Sequence, residues 1–283
     1  MTEEITVPSG RAEIAERFAA DGYYFPIDVL SAEEAATYRQ ELEALESTKH
    51  GNNLGNKSQL NYPHVIFRFA DSIVRHARIL DAVEAILGPD ILVWGSTFFI
   101  KEPHSESYVS WHQDLCYWGL DSEAEVSAWV ALSPVTEANG CMRFVPGSHK
   151  GELLPHKDTF VDSNFLTRGQ EADIEIDDRD TILVPLAPGQ ASLHHGKLLH
   201  ASGPNRSDER RIGLAINYIA PQVRQVVAKE DFAMLVCGED KFGHFRHVPS
   251  PTRDMDDDAT AWHRRILSAQ NEALYEGAKQ RPL

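Results

Sequence analysis

Up to about residue 90, apolar positions recur at helical spacing. "AEIAERFAADGYYF" reads as a short helix stopped at Gly22. "SAEEAATYRQELEALE" opens on Ser31 with Glu34 three residues later, the spacing of a capping box, and Ala35, Tyr38, Leu42 and Leu45 then share one face. "RILDAVEAILGPD" predicts a third helix, with Gly88 at its stop and Pro89 just beyond. From residue 91 the period changes to two. "ILVWGSTFFI", "SYVSWHQDL", "EVSAWVALSPV", "CMRFVPGS", "TILVPLAPGQASLHH", "KLLHASG" and "IGLAINYIA" are short β-rich runs, separated by turns such as "EANG", "APGQ" and "SGPNRS". Many short strands without intervening helices predict a mainly β fold with flanking α-helices: a sandwich, barrel or jelly roll. After "RDMDDD", whose acids suit a helix N-terminus, a last helix is expected near Trp262 to Tyr275, with fraying after Gly277.

No repeat or low-complexity linker divides the 283 residues. The expectation is one domain over 1–283: a helical part to about 90, a core over about 91–220, and a C-terminal extension with a helix over about 221–283. The net charge of −16 argues against nucleic acid or an anionic membrane as partner. Three cysteines without a CxxC pair are neither a disulfide framework nor a zinc ribbon. With no signal-peptide pattern in "MTEEITVPSGRAEIAERF" and no long apolar run, a cytoplasmic protein is expected.

Candidate chemistry begins with a histidine two residues before a carboxylate. That spacing occurs three times, at His104–Glu106, His112–Asp114 and His156–Asp158. Chance alone gives roughly two such pairs at this composition, so the spacing decides nothing by itself. Setting does. His104 and His156 follow prolines in polar stretches and read as flexible surface positions. His112 lies in a β-rich run, where strand parity puts Ser110, His112, Asp114 and Cys116 on one face. A third ligand is expected from "SLHHGKLLHASGPNRSDERRIGL", which offers His194, His195 and His200. His200 has the better neighbours: Ser202 follows at i+2, and Arg211 opens the next strand eleven residues on. Two histidines and one carboxylate form the facial triad of non-haem Fe(II) oxygenases, and an arginine nearby suits the far carboxylate of a chelating cosubstrate.

The motifs "FFIKEP", "WHQDLCYW", "AWVALSPVTEANGCMRFVPGSHKGELLPH" and "HASGPNRSDERRIGLAI" resemble, in order and spacing, those of the phytanoyl-CoA dioxygenase family of Fe(II)/2-oxoglutarate-dependent oxygenases, over roughly three quarters of the chain. The resemblance implies a double-stranded β-helix (a cupin-like jelly roll) with outer helices. It implies His112, Asp114 and His200 as iron ligands, with Fe(II), 2-oxoglutarate and O2 as cofactors. Arg211, with Ser202, would hold the distal carboxylate of 2-oxoglutarate, and Trp129, Gln113 and Phe98 would line the cosubstrate pocket. Arg210 is the adjacent rival of Arg211, disfavoured by strand parity. Related halogenases have Ala or Gly where Asp114 stands, so its presence implies hydroxylation of a small-molecule substrate, with succinate and CO2 released. The substrate could be CoA- or carrier-tethered, and intact-triad relatives also desaturate, epoxidise or cyclise. A non-catalytic binding protein and a zinc hydrolase are the competing readings, and neither uses Arg211. Tyr117, Trp118, Arg143, His195 and Lys57 receive no role, although by analogy the stretch holding Lys57, Gln59 and Asn61 folds over the site as a lid.

Overall fold

The computed structural model describes residues 10–47 and 60–274. It opens with α1 (Gly10–Asp21), β1 (Tyr23–Asp28), α2 (Ala32–Glu46), α3 (Pro63–Ile66), α4 (Arg68–Val74) and α5 (Ala77–Leu87). The strand-rich part carries β2 (Ile91–Lys101), β3 (Val109–His112), α6 (Leu115–Trp118), β4 (Glu125–Ala131), β5 (Met142–Phe144), β6 (His156–Asp158), β7 (Gln170–Ala172), β8 (Ile182–Val184), β9 (Gln190–His194), β10 (His200–Ser202) and β11 (Arg211–Ile219). β12 (Phe232–Cys237), β13 (Arg246–His247) and α7 (Asp257–Leu274) follow. The capping box of α2 is formed: Glu34 N–H donates to Ser31 Oγ at 3.1 Å and Ser31 N–H to Glu34 Oε2 at 2.7 Å.

The strands build a jelly roll. A seven-stranded sheet runs β1-β9-β4-β11-β2-β12-β13 and a four-stranded sheet runs β3-β10-β5-β8. Every pairing in them is antiparallel except β12 with β13. The large sheet takes β1 from the helical part and β12 from the C-terminal extension, so both flanking segments contribute strands to it.

Alternation along β11 divides the two faces of the large sheet. Ile212, Leu214, Ile216 and Tyr218 are fully buried in the cluster formed with the helices, alongside Phe69, Ile73, Ile79 and Val83. The Tyr218 hydroxyl donates to Val74 O at 2.9 Å, tying β11 to α4. The other face looks into the jelly roll, where Tyr23, Trp129 and Ala131 pack against Met142, Phe144 and Val184 of the small sheet. Arg211, Gly213, Ala215 and Asn217 belong to that inner face, opposite Lys101, Phe99, Thr97 and Gly95 of β2. Among the described residues no helix is long and apolar enough to cross a membrane.

Candidate metal centre and cosubstrate pocket

His200 and His112 are direct cross-strand partners in the small sheet, with ring centroids 4.0 Å apart. The Nδ1–H of His112 is shared between Ser110 O at 2.9 Å and His200 O at 3.1 Å. That of His200 donates to Leu198 O at 2.9 Å. Carbonyls only accept, so each Nδ1 carries a proton, and in the neutral imidazole each Nε2 presents a lone pair. Both lone pairs look toward Asp114. His112 Nε2 lies 3.3 Å from Oδ1 and His200 Nε2 lies 4.0 Å from Oδ2. One ligand atom from each of the three residues fits within 4.8 Å of the others.

Asp114 reaches this position differently from the expectation. β3 ends at His112, and Asp114 has helical dihedrals (φ −57°, ψ −47°) at the start of α6. Cys116 therefore leaves the His112 face, and its Sγ lies 3.2 Å from His156 Nδ1. The turn is tied from outside. Leu115 N–H donates to Gly196 O at 3.0 Å, and Gly196 N–H donates to the buried Glu125 carboxyl at 2.7 Å. The Asp114 side chain is steered by a relay across the large sheet: Asn217 Nδ2 donates to Ser127 Oγ at 2.9 Å, which donates toward Asp114 Oδ2 at 3.5 Å. Burial would raise the Asp114 carboxyl, but the charge and hydrogen bonds that His200, His112 and His194 offer it when protonated outweigh burial and hold it well below its usual range. Burial, with His112 alongside, lowers His200 well below its ordinary value. Two lone pairs facing an ionised carboxylate fit a divalent cation.

Arg211 sits deeper on the same inner face and is 2% exposed. Its Nη1 donates to Ser202 Oγ at 3.1 Å and to Gly140 O, and its guanidinium lies 5.2 Å from the centroid of Trp129. Gly213 makes that stacking possible, since a Cβ there would stand 2.0 Å from the Trp129 ring. Gly140, at φ +78°, offers its carbonyl because its α-carbon lies against the Gly203 backbone. Arg211 Nε is buried without a partner, and among the described residues no carboxylate pairs with this guanidinium. Burial lowers it to about 10. A buried cation lacking an anion fits a ligand carboxylate. Arg210 points the other way and pairs with Glu46 and Glu102 at 2.9 and 2.8 Å.

Two expected pocket residues stand elsewhere. Phe98 lies on the helical face of β2, stacked on Phe69 at 5.9 Å, while Phe99 takes the inner face against Phe165. Phe98→Ala should therefore lower stability by about 3–5 kcal/mol in urea titrations and leave the 2-oxoglutarate affinity of the folded protein unchanged. A specific affinity loss would return Phe98 to the cosubstrate. Gln113 engages both ends of its amide with main chain, donating to Lys197 O at 2.8 Å and accepting from Leu154 N–H at 2.8 Å. It clamps the segment between two of the candidate ligands.

Two histidines that the sequence left out of the site lie near the cluster, one of them, His194, a third-ligand candidate passed over for His200. His156, read as a surface position, accepts the Gln113 N–H at Nε2 (3.0 Å) and donates from Nδ1 to Leu154 O (2.8 Å). Gln113 lies 43 residues away in the chain, and no local signal gives that contact. His194 stands 3.8 Å from Asp114 Oδ2, with Nδ1 buried and unpartnered among the described residues. Its even separation from His200 was a signal only for a reader who knew both strands face inward. Trp118 packs on Trp94 at 5.3 Å, and Tyr117 sets its ring edge-on to His156 under the Arg168 guanidinium. Arg143 pairs with Asp178 at 2.9 Å. His195 packs between Phe18 and His149, and burial lowers it to about 4. Lys57 and Gln59 lie outside the described residues. Asn61 Oδ1 accepts from Thr97 Oγ1 at 3.1 Å.

A jelly roll presenting two imidazoles and a carboxylate beside a buried, anion-free arginine defines the Fe(II)/2-oxoglutarate oxygenase class. The family model described as phytanoyl-CoA dioxygenase matches residues 18–213. A Stutzerimonas stutzeri protein named "Probable alpha-ketoglutarate-dependent hypophosphite dioxygenase" is 30% identical over 228 residues, 74% of this chain and 78% of that protein. The structure described as "non-heme monooxygenase; ThoJ apo" superposes with a TM-score of 0.84 at 36% identity, covering 95% of this chain and all of the other. "CytC3 with Fe(II) and alpha-ketoglutarate" shares the fold at a TM-score of 0.63 and 21% identity, over 86% of this chain and 94% of that one. The chain belongs to the phytanoyl-CoA dioxygenase family. It is an Fe(II)- and 2-oxoglutarate-dependent dioxygenase.

Proposed function

We propose that this enzyme hydroxylates an unactivated C–H bond of a small molecule, with iron held by His112, Asp114 and His200 and 2-oxoglutarate held by Arg211, Ser202 and Trp129. The observation that carries the cosubstrate assignment is the buried Arg211, stacked on Trp129 and lacking any carboxylate of its own among the described residues. When bound, iron with 2-oxoglutarate and O2 supplies the oxidant, and succinate and CO2 are the co-products.

The protein's part is position and environment. The Ser110, His200 and Leu198 carbonyls keep both imidazoles protonated at Nδ1, leaving Nε2 free to ligate. The Asn217–Ser127 relay orients the carboxylate. Tyr23, Phe144 and Leu198 make the neighbouring interior apolar and exclude water from it. A carboxylate at position 114 fills the coordination place that a halide would need, which supports hydroxylation. The net charge of −16 speaks against a polyanionic tether such as CoA or an acidic carrier protein, and for a free small molecule.

The test is a metabolite-library screen for substrate-stimulated succinate formation under Fe(II), 2-oxoglutarate and O2, with the product identified by mass. Anaerobic addition of Fe(II) and 2-oxoglutarate should also give the weak visible charge-transfer band of the chelate. Iron-loaded protein that neither shows the band nor forms succinate with any candidate would overturn the reading and return the binding-protein and zinc-hydrolase alternatives.

A further inference from the structure

Arg211 is not the only buried cation at this end of the jelly roll. Lys101, the last residue of β2, is its direct cross-strand partner and has no solvent exposure. A lysine normally carries its ammonium to water along its flexible stem. Here Nζ is held inside, donating to Ser202 O at 3.3 Å, to Ser202 Oγ and to Gly203 O. All its partners are neutral. Among the described residues neither Lys101 nor Arg211 has a carboxylate within ion-pair distance, and the only other ionisable neighbour acting on them is the buried Cys141 thiol. Two adjacent buried cations without a counter-ion are strongly unfavourable unless an anion joins them.

The hydrogen-bond directions say where that anion meets the protein. Ser202 Oγ accepts from Lys101 Nζ and from Arg211 Nη1, so its oxygen is occupied by two donors. Its own proton can only be given away, and it now points at Gly140 O, 3.1 Å distant. We propose that Lys101 is a positioning residue for the cosubstrate: it fixes Ser202 as an obligate donor and supplies the second positive charge that selects a 2-oxo acid with a distal carboxylate. This rests on the assignment of Arg211 and Ser202 to 2-oxoglutarate. Burial, with Arg211 beside it, lowers Lys101 to about 6, and a carboxylate bound beside it would draw the proton back, so the second charge is present when the cosubstrate is. A merely structural lysine would tie β2 to the Ser202–Gly203 backbone without any influence on which 2-oxo acid binds.

The experiment compares 2-oxoglutarate with 2-oxobutanoate, which has the same chelating end but a hydrogen in place of the distal carboxylate. Binding is read from the charge-transfer band under anaerobic Fe(II), and turnover from succinate. In Lys101→Met, 2-oxoglutarate affinity should fall by about tenfold or more, 2-oxobutanoate affinity should change by less than about threefold, and kcat at saturating 2-oxoglutarate should stay within about threefold. Lys101→Arg should recover most of the preference. A Lys101→Met protein with the full wild-type preference overturns the proposal. If that variant does not fold, Arg211→Met decides: a second cation predicts a residual preference of about tenfold for 2-oxoglutarate, and equal affinity for the two acids overturns it. A wild-type protein with no chelate band for 2-oxoglutarate would sink the functional reading and this inference together. A normal wild-type band with unchanged preference in Lys101→Met sinks only Lys101.

Discussion

Replacing Asp114 with alanine should abolish iron-dependent succinate formation while leaving the protein folded. Losing a residue that merely supports a metal ligand costs about 10–100-fold, so losing the ligand itself should cost on the order of 10³-fold. The fold should survive because the main chain of the turn is secured by other groups. Leu115 N–H is held by Gly196 O, and the Gln113 amide clamps to Lys197 and Leu154. Circular dichroism and the unfolding midpoint should stay close to wild type, while iron retained after desalting falls. Asp114→Ala protein that keeps wild-type turnover would remove Asp114 from the metal centre. Protein that fails to fold would instead make the carboxylate a structural residue of the turn.

Asp114 and the two adjacent arginines mark how far the site is legible in the sequence. Parity separated Arg211 from Arg210 because Arg211 opens a regular strand and Arg210 immediately precedes it. One turns inward to Ser202 and the other outward to Glu46 and Glu102. The same parity placed Asp114 beside His112 for the wrong reason, since the strand stops at His112 and a helical turn carries the carboxylate across. For neighbours two residues apart, either geometry brings the groups together. The family motifs gave the jelly roll, but not that β1 and β12 join the large sheet, because those pairings are long-range. Phe98 was misplaced for a related reason. Had the inward face of Arg211 been carried through the cross-strand register to Lys101, odd-numbered positions of β2 would have faced the pocket, and Phe99 rather than Phe98 with them. Lys101 itself was visible within "FFIKEP", but a lysine in sequence reads as surface. Only the register shows that its ammonium is trapped.

Arg211→Met should separate binding from stability, and in opposite directions. Truncating one partner of a buried charge-assisted contact costs about 2–5 kcal/mol of binding, so KM for 2-oxoglutarate should rise roughly a hundredfold. The effect on kcat at saturating cosubstrate should be much smaller, because the chelating end of 2-oxoglutarate is remote from this residue under the proposed assignment. Without ligand, the same change removes a buried cation that has no counter-ion among the described residues. Methionine keeps the apolar stem against Trp129. Ser202 Oγ retains Lys101 as a donor, and Gly140 O retains Ser202. The metal-free protein should therefore be as stable as wild type, or more stable by up to about 2 kcal/mol. Adding Fe(II) and 2-oxoglutarate should raise the urea midpoint of the wild type far more than that of the variant, since a ligand stabilises the folded state only as far as it binds. An Arg211→Met protein that is less stable without ligand, yet binds 2-oxoglutarate normally, would make the guanidinium a packing element. The distal carboxylate would then rest on Lys101 and Ser202.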